Sequence, residues 1–162
     1  MPPQDAHQES VADFTDDQLD KAFAALVQFV QMLPKDGPIQ TPIDEQLITY
    51  GLFKQATFGP CTTPKPSIFH IVERFKWNAW SKLGDMPKRE AKRIYVENFI
   101  KRTERHYEKF HDELPGWMAD QKYAAVKEFA REHKDDIGVT YLNTSQGLKE
   151  LAVIGKEIGF YL

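Results

Sequence analysis

The sequence predicts an all-α fold. Apolar residues recur three and four positions apart along much of the chain, which is the spacing of one face of an α-helix. Proline and glycine clusters interrupt this pattern and divide it into six segments of helical length. No pair of strand-like segments flanks a hairpin turn, so we expect no β-sheet.

Residues 1–14 are polar and acidic, and we expect a flexible tail there. A first helix is predicted over about residues 15–33. Thr15 and Gln18 match a capping box, in which two side chains satisfy backbone N–H groups of the first turn. The cluster of proline and glycine over residues 34–38 ends this helix.

A second helix is predicted to begin at Thr41-Pro42, because threonine is a favoured cap and proline is tolerated in the first turn. Gly59-Pro60 ends this helix and opens a loop over residues 59–67. A third helix is expected from about residue 68 to residue 83, with Gly84 as the residue that closes it.

A fourth helix is predicted from near Pro87 to about His111, and Leu114-Pro115-Gly116 marks the clearest boundary in the chain. Two further helices are predicted beyond it, at about residues 117–133 and 145–158. The last segment has an apolar face, which we expect to pack against the preceding helices rather than to bind a partner.

The net charge of −3 is unevenly distributed. Residues 1–20 contain six acids and no Lys or Arg, whereas residues 21–114 have a net charge of +4. A mildly basic middle segment suits an anionic ligand. The excess is too small to indicate nucleic-acid binding, so we expect no nucleic-acid partner.

Cysteine content and targeting signals indicate a cytoplasmic protein. A single cysteine, Cys61, rules out a disulfide within the chain and fits a reducing compartment. No secretory signal is visible, and no apolar stretch reaches the 18 to 20 residues that would span a bilayer.

Motifs for catalysis or metal binding are absent from the sequence. There is no Gly-rich phosphate loop, no Gly-x-Ser-x-Gly and no His-Glu-x-x-His. Cys61 has no base that the sequence identifies. His106 and His111 are five positions apart, so they do not share a helix face and are predicted to lie on the surface. We therefore expect no enzyme, no metal site and no cofactor.

A possible ligand-binding patch lies in the second helix. Tyr50 and Lys54 are neighbours on one face, and Phe53 lies beside both. A phenol, an ammonium group and an aromatic ring can together hold a phosphorylated aromatic ligand. The alternative is an amphipathic surface whose lysine extends to water. The residues alone favour this alternative.

Two other groups of residues have alternative interpretations. Trp77 and Trp80 lie three apart and are predicted to be core side chains rather than a binding surface. The fourth helix begins with four cations, which form either a solvated face or a weak contact with an anionic membrane surface. These cations are Lys88, Arg89, Lys92 and Arg93.

Five short runs of residues, taken in order and spacing, resemble the acyl-CoA-binding protein family over residues 15–102. Within the family, the sequence looks closer to the larger acyl-CoA-binding-domain proteins, which share the Leu-Pro-Lys-x-Gly and Gly-Pro-Cys runs. Tyr-x-x-x-Lys-Gln-Ala-Thr with a downstream Lys-Trp-x-Ala-Trp is the most specific part. The runs are Leu33 to Gly37, Tyr50 to Cys61, Lys76 to Trp80, Leu83 to Met86 and Tyr95 to Glu97.

The resemblance implies a four-helix bundle with an open bowl for the CoA head group, and a non-catalytic, monomeric carrier of long-chain acyl-CoA. Because of the resemblance, we now interpret Tyr50, Phe53 and Lys54 of the second helix as a ligand-binding patch rather than as an amphipathic surface. Residues 103–162 form a helical extension with no counterpart in the minimal domain.

The resemblance also implies which residues bind the ligand. In the family, the 3′-phosphate is bound at the positions matching Tyr50, Lys54 and Lys76. Aromatic contacts near the adenine come from the positions matching Phe53 and Tyr95. The acyl chain lies near the positions matching Val27, Gln31 and Leu47.

Four departures from the family pattern matter. Ser67-Ile68-Phe69-His70 stands where the family often has Gly-Phe-Trp-Asp. Phe53 replaces a usual tyrosine, so a hydroxyl group is lost. Glu73 replaces a usual glycine and would weaken phosphate binding if it pointed into the site. Pro87 replaces the usual capping Ser or Thr. Two alternatives remain: an adaptor whose C-terminal helices bind a protein or membrane, and an accessory domain of a CoA-dependent enzyme.

Overall fold

The fold is known from a computed structural model, which describes residues 11–34, 37–39, 41–133 and 136. These residues contain helices and no strand, so the all-α prediction is confirmed. The α-helices are α1 (Asp16–Met32), α2 (Ile43–Phe58), α3 (Ile71–Ser81), α4 (Lys88–Phe110), α5 (Leu114–Met118) and α6 (Ala124–Glu132).

Helix α2 packs against both α3 and α4, while α1 packs against α4 and α6. Edge-to-face aromatic pairs join α1 to α4. The ring centroids of Phe23 and Tyr95 are 5.1 Å apart, and those of Phe29 and Phe99 are 6.0 Å apart. None of the described helices is long and apolar enough to cross a bilayer.

The predicted flexible tail is shorter than expected. Val11–Asp13 form a single 3-10 turn, and the side chains of Val11 and Phe14 are only 7% and 3% exposed. Both belong to the main hydrophobic core. The prediction of a loose segment is therefore wrong for residues 11–14, because burial of these two side chains fixes the backbone. Residues 1–10 lie outside the described part.

The starts of the first three helices agree with the predictions to different degrees. The capping box of α1 is confirmed, since Thr15 N donates to Gln18 Oε1 at 2.9 Å and Gln18 N donates to Thr15 Oγ1 at 3.2 Å. Helix α2 begins after Pro42 rather than Thr41, with no side-chain cap. Helix α3 begins at residue 71 instead of 68, because a turn closed by Ser67 precedes it.

The C-terminal prediction is only partly correct. Helix α4 runs to Phe110, as expected, but the predicted boundary at residues 114–116 is the start of α5. The single helix predicted over residues 117–133 is broken, because Asp120 accepts a hydrogen bond from Lys122 N at 3.0 Å and caps a short 3-10 turn. The helix predicted at residues 145–158, with its apolar face, lies outside the described residues.

Candidate functional site

A glycine lets α2 and α3 approach until their backbones touch. A Cβ atom at Gly51 would lie 2.4 Å from the carbonyl oxygen of Ala79 and 2.8 Å from its carbonyl carbon. Side-chain atoms do not come this close to backbone atoms, so only glycine fits here. The neighbouring residue Tyr50 is thereby brought against α3.

Two lysines and a tyrosine meet at this helix contact. Lys76 of α3 places its Nζ atom 4.8 Å from the centre of the Tyr50 ring. Lys54 follows Tyr50 by one turn of α2, and its Nζ atom lies 4.4 Å from the Phe58 ring and 4.8 Å from the Trp80 ring. Both ammonium groups are thus positioned by cation–π contacts. We call Tyr50, Lys54 and Lys76 the cation–phenol cluster.

The Tyr50 hydroxyl is set up as a hydrogen-bond donor. Partial burial raises the pKa of Tyr50 above its ordinary value, and the nearby Cys61 raises it further. A phenol is already protonated at neutral pH with its ordinary pKa, and both effects act in the same direction. Tyr50, Lys54 and Lys76 are all half-buried, so the cluster combines donors and positive charge in a partly desolvated position.

The loop after α2 is fixed by two tryptophans. Trp80 Nε1 donates to the Gly59 carbonyl at 2.9 Å, and Trp77 Nε1 donates to the Thr63 carbonyl at 2.8 Å. Trp80 is 5% exposed, which confirms its core assignment, whereas Trp77 is half-buried. These bonds hold the loop that contains Cys61 beside Tyr50. The sequence suggested the burial of the rings but not the carbonyls that their N–H groups bind.

Gln55 is a structural residue that sequence reasoning missed. It is fully buried, and its Nε2 donates to the carbonyls of Gly84 at 3.0 Å and Met86 at 2.8 Å. It thus ties α2 to the connection between α3 and α4. Gln55 belongs to the Lys-Gln-Ala-Thr run, but its partners lie far away in sequence, so only the fold reveals them.

The two residues expected near an adenine differ in their surroundings. Phe53 is half-buried and packs against the core. Tyr95 is 2% exposed and forms an edge-to-face pair with Phe23. The structure therefore places Tyr95 in the core between α1 and α4. Lys76 lies over Tyr50, and Lys54 lies over Phe58 and Trp80, at the contact between α2 and α3.

The residues expected near an acyl chain all retain accessible surface. Val27 and Leu47 are half-buried, and Gln31 is exposed. Val27 also packs against the core. Glu73, which the sequence marked as a possible source of repulsion, is exposed on α3.

Acidic residues pair with three of the four cations at the start of α4. Arg89 contacts Asp16 and also donates to the Phe14 carbonyl at 3.1 Å. Lys92 Nζ lies 2.8 Å from Asp20 Oδ1. Arg93 is paired with acids of its own helix, Glu90 and Glu97. This face is thus less positive than the sequence alone indicates.

The C-terminal half of α4 concentrates positive charge near a histidine. Burial, with Arg102, Arg105 and Lys109 nearby, lowers the pKa of His106 to about 4. The prediction that His106 lies on the surface is wrong, because the ring is half-buried and faces Phe110. His111 is exposed, as predicted.

A cleft of about 220 Å³ lies beside these cations, between α2 and α4. Arg102 lines this cleft, is 5% exposed and donates from Nη1 to Thr49 Oγ1 at 3.2 Å.

Over the described ranges, no group of three His, Cys, Asp or Glu side chains is arranged to hold a metal ion.

The structure is an all-α bundle that carries two lysine ammonium groups and a tyrosine at the contact between α2 and α3. A family model described as "Acyl CoA binding protein" matches residues 20–99. Acyl-CoA-binding protein homolog 3 of Caenorhabditis elegans is 42% identical over 96 residues, which is 59% of this chain and 79% of that protein. The chain therefore belongs to the acyl-CoA-binding protein family.

Two further comparisons agree with this assignment. Acyl-CoA-binding domain-containing protein 5 of Xenopus tropicalis is 46% identical over 79 residues, and the match covers 49% of this chain but only 17% of that longer protein. The crystal structure of ACBP from Moniliophthora perniciosa superposes with a TM-score of 0.51 at 30% identity, covering 75% of this chain and 97% of that one.

Proposed function

We propose that this protein is a non-catalytic carrier that binds long-chain fatty acyl-CoA thioesters. The observation that carries the proposal is the cation–phenol cluster at the contact between α2 and α3. Family membership supports acyl-CoA as the ligand class. It also supports a binding module rather than an enzyme, so the thioester would be released intact.

The cluster provides the chemistry that a phosphate monoester requires. Lys54 and Lys76 supply charge, and the Tyr50 hydroxyl supplies a neutral donor. Both ammonium groups already lie over aromatic rings at 4.4 to 4.8 Å, so less side-chain freedom is lost when an anion binds. We assign the ribose 3′-phosphate of CoA to this cluster.

The remaining parts of the ligand are assigned to apolar and aromatic side chains. Phe53 retains accessible surface and can stack on the adenine. Tyr95 is buried, so we assign it the role of supporting the site through its contact with Phe23. The acyl chain would lie near Val27, Gln31 and Leu47, where each buried CH₂ contributes about 0.8 kcal/mol. Affinity should therefore rise with chain length until this surface is filled.

We further propose that the protein acts as a monomer in the cytoplasm and needs no cofactor. The single cysteine fits a reducing compartment. The cation–phenol cluster is assembled from one chain, so ligand binding does not require a second subunit.

Calorimetry with palmitoyl-CoA, palmitate and free CoA tests the proposal. We expect palmitoyl-CoA to bind most tightly, because only it engages both the phosphate site and the acyl surface. Equal affinities for palmitate and palmitoyl-CoA would contradict the head-group assignment. Incubation with palmitoyl-CoA followed by a free-thiol assay tests the absence of hydrolysis, and a series of acyl lengths from C8 to C20 measures the chain preference.

A further inference from the structure

The cleft between α2 and α4 is lined on its α4 side by a row of polar side chains that carries three positive charges. The members of this row share one face of the helix, because they are spaced three and four positions apart. They are Asn98, Lys101, Arg102 and Arg105. Glu45 of α2 is the single acid among the described residues that line the cleft, so the lining has a net charge of +2.

Arg102 brings one of these charges to a nearly buried position. The residue is 5% exposed, and its Nη1 donates to Thr49 Oγ1 at 3.2 Å. The Thr49 hydroxyl donates in turn to the Glu45 carbonyl of its own helix at 2.9 Å, so its oxygen is left to accept from the guanidinium group. The charge of Arg102 is therefore fixed at the wall of the cleft, where it is less screened by water than a surface charge.

Arg105 supplies a second guanidinium group one turn further along α4. Its Nη2 lies 3.2 Å from Oε1 and 3.1 Å from Oε2 of Glu45, and the two side chains are 60% and 33% exposed. A carboxylate thus already lies beside the row. Exposed ion pairs of this kind are weak, so a more highly charged anion can displace Glu45 from Arg105.

A neighbouring histidine is consistent with a positive potential in this region. His106 follows Arg102 by four positions on α4. Burial lowers the pKa of His106, and the positive charges of Arg102, Arg105 and Lys109 lower it further. The same charges favour the binding of an anion.

The cleft lies on a different face of α2 from the cation–phenol cluster. With about 100° of rotation per residue, Glu45 and Thr49 are separated from Tyr50 and Lys54 by about 100° to 180° around the helix axis. The cluster lies at the contact of α2 with α3, whereas the cleft is formed with α4. An anion in the cleft would therefore occupy a second site.

We propose that this cleft binds the phosphate group of a small, soluble phosphate monoester. Arg102 and Arg105 bind the phosphate oxygens, Lys101 adds a third positive charge, and the side-chain amide of Asn98 is a neutral donor. A phosphate dianion matches the net charge of the lining, and its three terminal oxygens accept from more donors than a carboxylate does. Ile48, which is 43% exposed, offers an apolar surface to the carbon atoms of the ligand. The proposal goes beyond acyl-CoA carriage and does not depend on it.

NMR titration of the full chain, free of acyl-CoA, tests the proposal, because each signal reports on its own site. The probes are inorganic phosphate and glycerol 3-phosphate, with acetate at the same ionic strength for comparison. We expect both phosphates to shift the Nε–H signal of Arg102 and the side-chain amide signals of Asn98, and acetate to shift them less. Failure of either phosphate to shift these signals would overturn the proposal, as would equal shifts with acetate.

Two variants should change the affinity in opposite directions. Arg105→Met should bind both phosphates about tenfold more weakly, because a charged donor is lost. Glu45→Gln should bind them about fivefold more tightly, because Arg105 no longer pairs with a competing carboxylate. A purely structural role of the Glu45–Arg105 pair does not predict this gain. Unaltered affinity in either variant would contradict the proposal.

Arg131→Met is the matched control for Arg105→Met. Arg131 is an exposed arginine of α6 that is paired with an acid, Glu128, and lies outside the cleft. The control should bind both phosphates like the unmodified chain, and circular dichroism should show the same helix content in both arginine variants. Equal losses of affinity in Arg131→Met and Arg105→Met would mean that the phosphates respond only to net charge, which would refute a site in the cleft.

A parallel titration with palmitoyl-CoA separates this proposal from the carrier function. A chain that binds palmitoyl-CoA but shows no phosphate-induced shifts at Arg102 and Asn98 contradicts only the cleft proposal. A chain that shows these shifts but does not bind palmitoyl-CoA contradicts only the carrier proposal.

Discussion

The ammonium nitrogen of Lys76 lies 4.8 Å from the centre of the Tyr50 ring, and this contact joins α3 to α2 beside the glycine at which the two helices touch. The close approach of α2 and α3 at Gly51 therefore accounts both for the packing of these helices and for the position of Lys76 beside Tyr50. If the helices moved apart, Lys76 would leave Tyr50 and the cation–phenol cluster would lose one of its two charges.

Replacing Lys76 with methionine should weaken palmitoyl-CoA binding about tenfold to a hundredfold, since a hydrogen bond to a charged group contributes about 1.5–3 kcal/mol. The variant should also lose most of its preference for palmitoyl-CoA over its 3′-dephospho form. Calorimetry with both thioesters measures this. The matched control is Lys101→Met, which removes an exposed cation from α4 at the cleft beside α2. A Lys76→Met protein with full discrimination would disprove the phosphate assignment.

Replacing Gly51 with alanine should destabilise the protein by about 1–3 kcal/mol, because the new methyl group would overlap the Ala79 carbonyl. Affinity for palmitoyl-CoA should fall as α2 and α3 separate. Urea unfolding and calorimetry measure the two effects. Gly116→Ala is the control, since in the described part of the chain a Cβ there would meet no atom within 4 Å beyond the adjacent residues and its own helix backbone. Equal stability of the two variants would refute the close approach.

Replacing Gln55 with methionine should cost about 1–3 kcal/mol of unfolding free energy. The side chain keeps a similar shape, but the carbonyls of Gly84 and Met86 lose their donor. The midpoint of urea unfolding reports the change. Gln28→Met, an exposed substitution on α1, should leave the midpoint nearly unaltered. If both variants unfold alike, Gln55 does not secure the connection between α3 and α4.

Replacing Phe14 with alanine should destabilise the fold by about 3 kcal/mol, because a side chain that is 3% exposed leaves a cavity in the core. The control is Phe69→Ala, which removes a phenylalanine that is 86% exposed and should change the thermal midpoint little. A negligible effect at Phe14 would mean that residues 11–14 behave as the loose tail that the sequence predicted.

His106 should make the protein less stable as the pH falls. Its pKa is about 4 in the folded chain and 6.5 in the reference state, so between these values the unfolded chain takes up a proton that the folded chain does not. Stability is therefore full above pH 6.5 and declines as the pH falls towards 4, by about 1 kcal/mol between pH 7 and pH 5 once the partial exposure of the ring is allowed for.

Urea unfolding at pH 7 and pH 5 measures this effect. The variant His106→Leu should reduce the difference between the two pH values, whereas His70→Leu, at an exposed position, should keep it. An unchanged difference in His106→Leu would assign the pH dependence to other groups.

Local sequence signals predicted those parts of the fold that depend on local bonds. Thr15 and Gln18 form the capping box because both partners lie within one turn. The periodic apolar residues and the breaks at Gly59 and Gly84 predicted α1 to α4 to within a few residues. The start of α3 was less accurate, since a turn at Ser67 precedes the helix in a way that periodicity does not show.

The sequence by itself determined the all-α class, the helix order and the residue types of the site: the family motif already contained Tyr50, Lys54 and Lys76. Only the tertiary structure decided that Lys76 lies against Tyr50, that Tyr95 is buried against Phe23 and that Phe14 belongs to the core. The reason is that helical periodicity depends on neighbours three and four positions apart. Burial and the distance between charges, by contrast, depend on residues that only the packing of separate helices brings together.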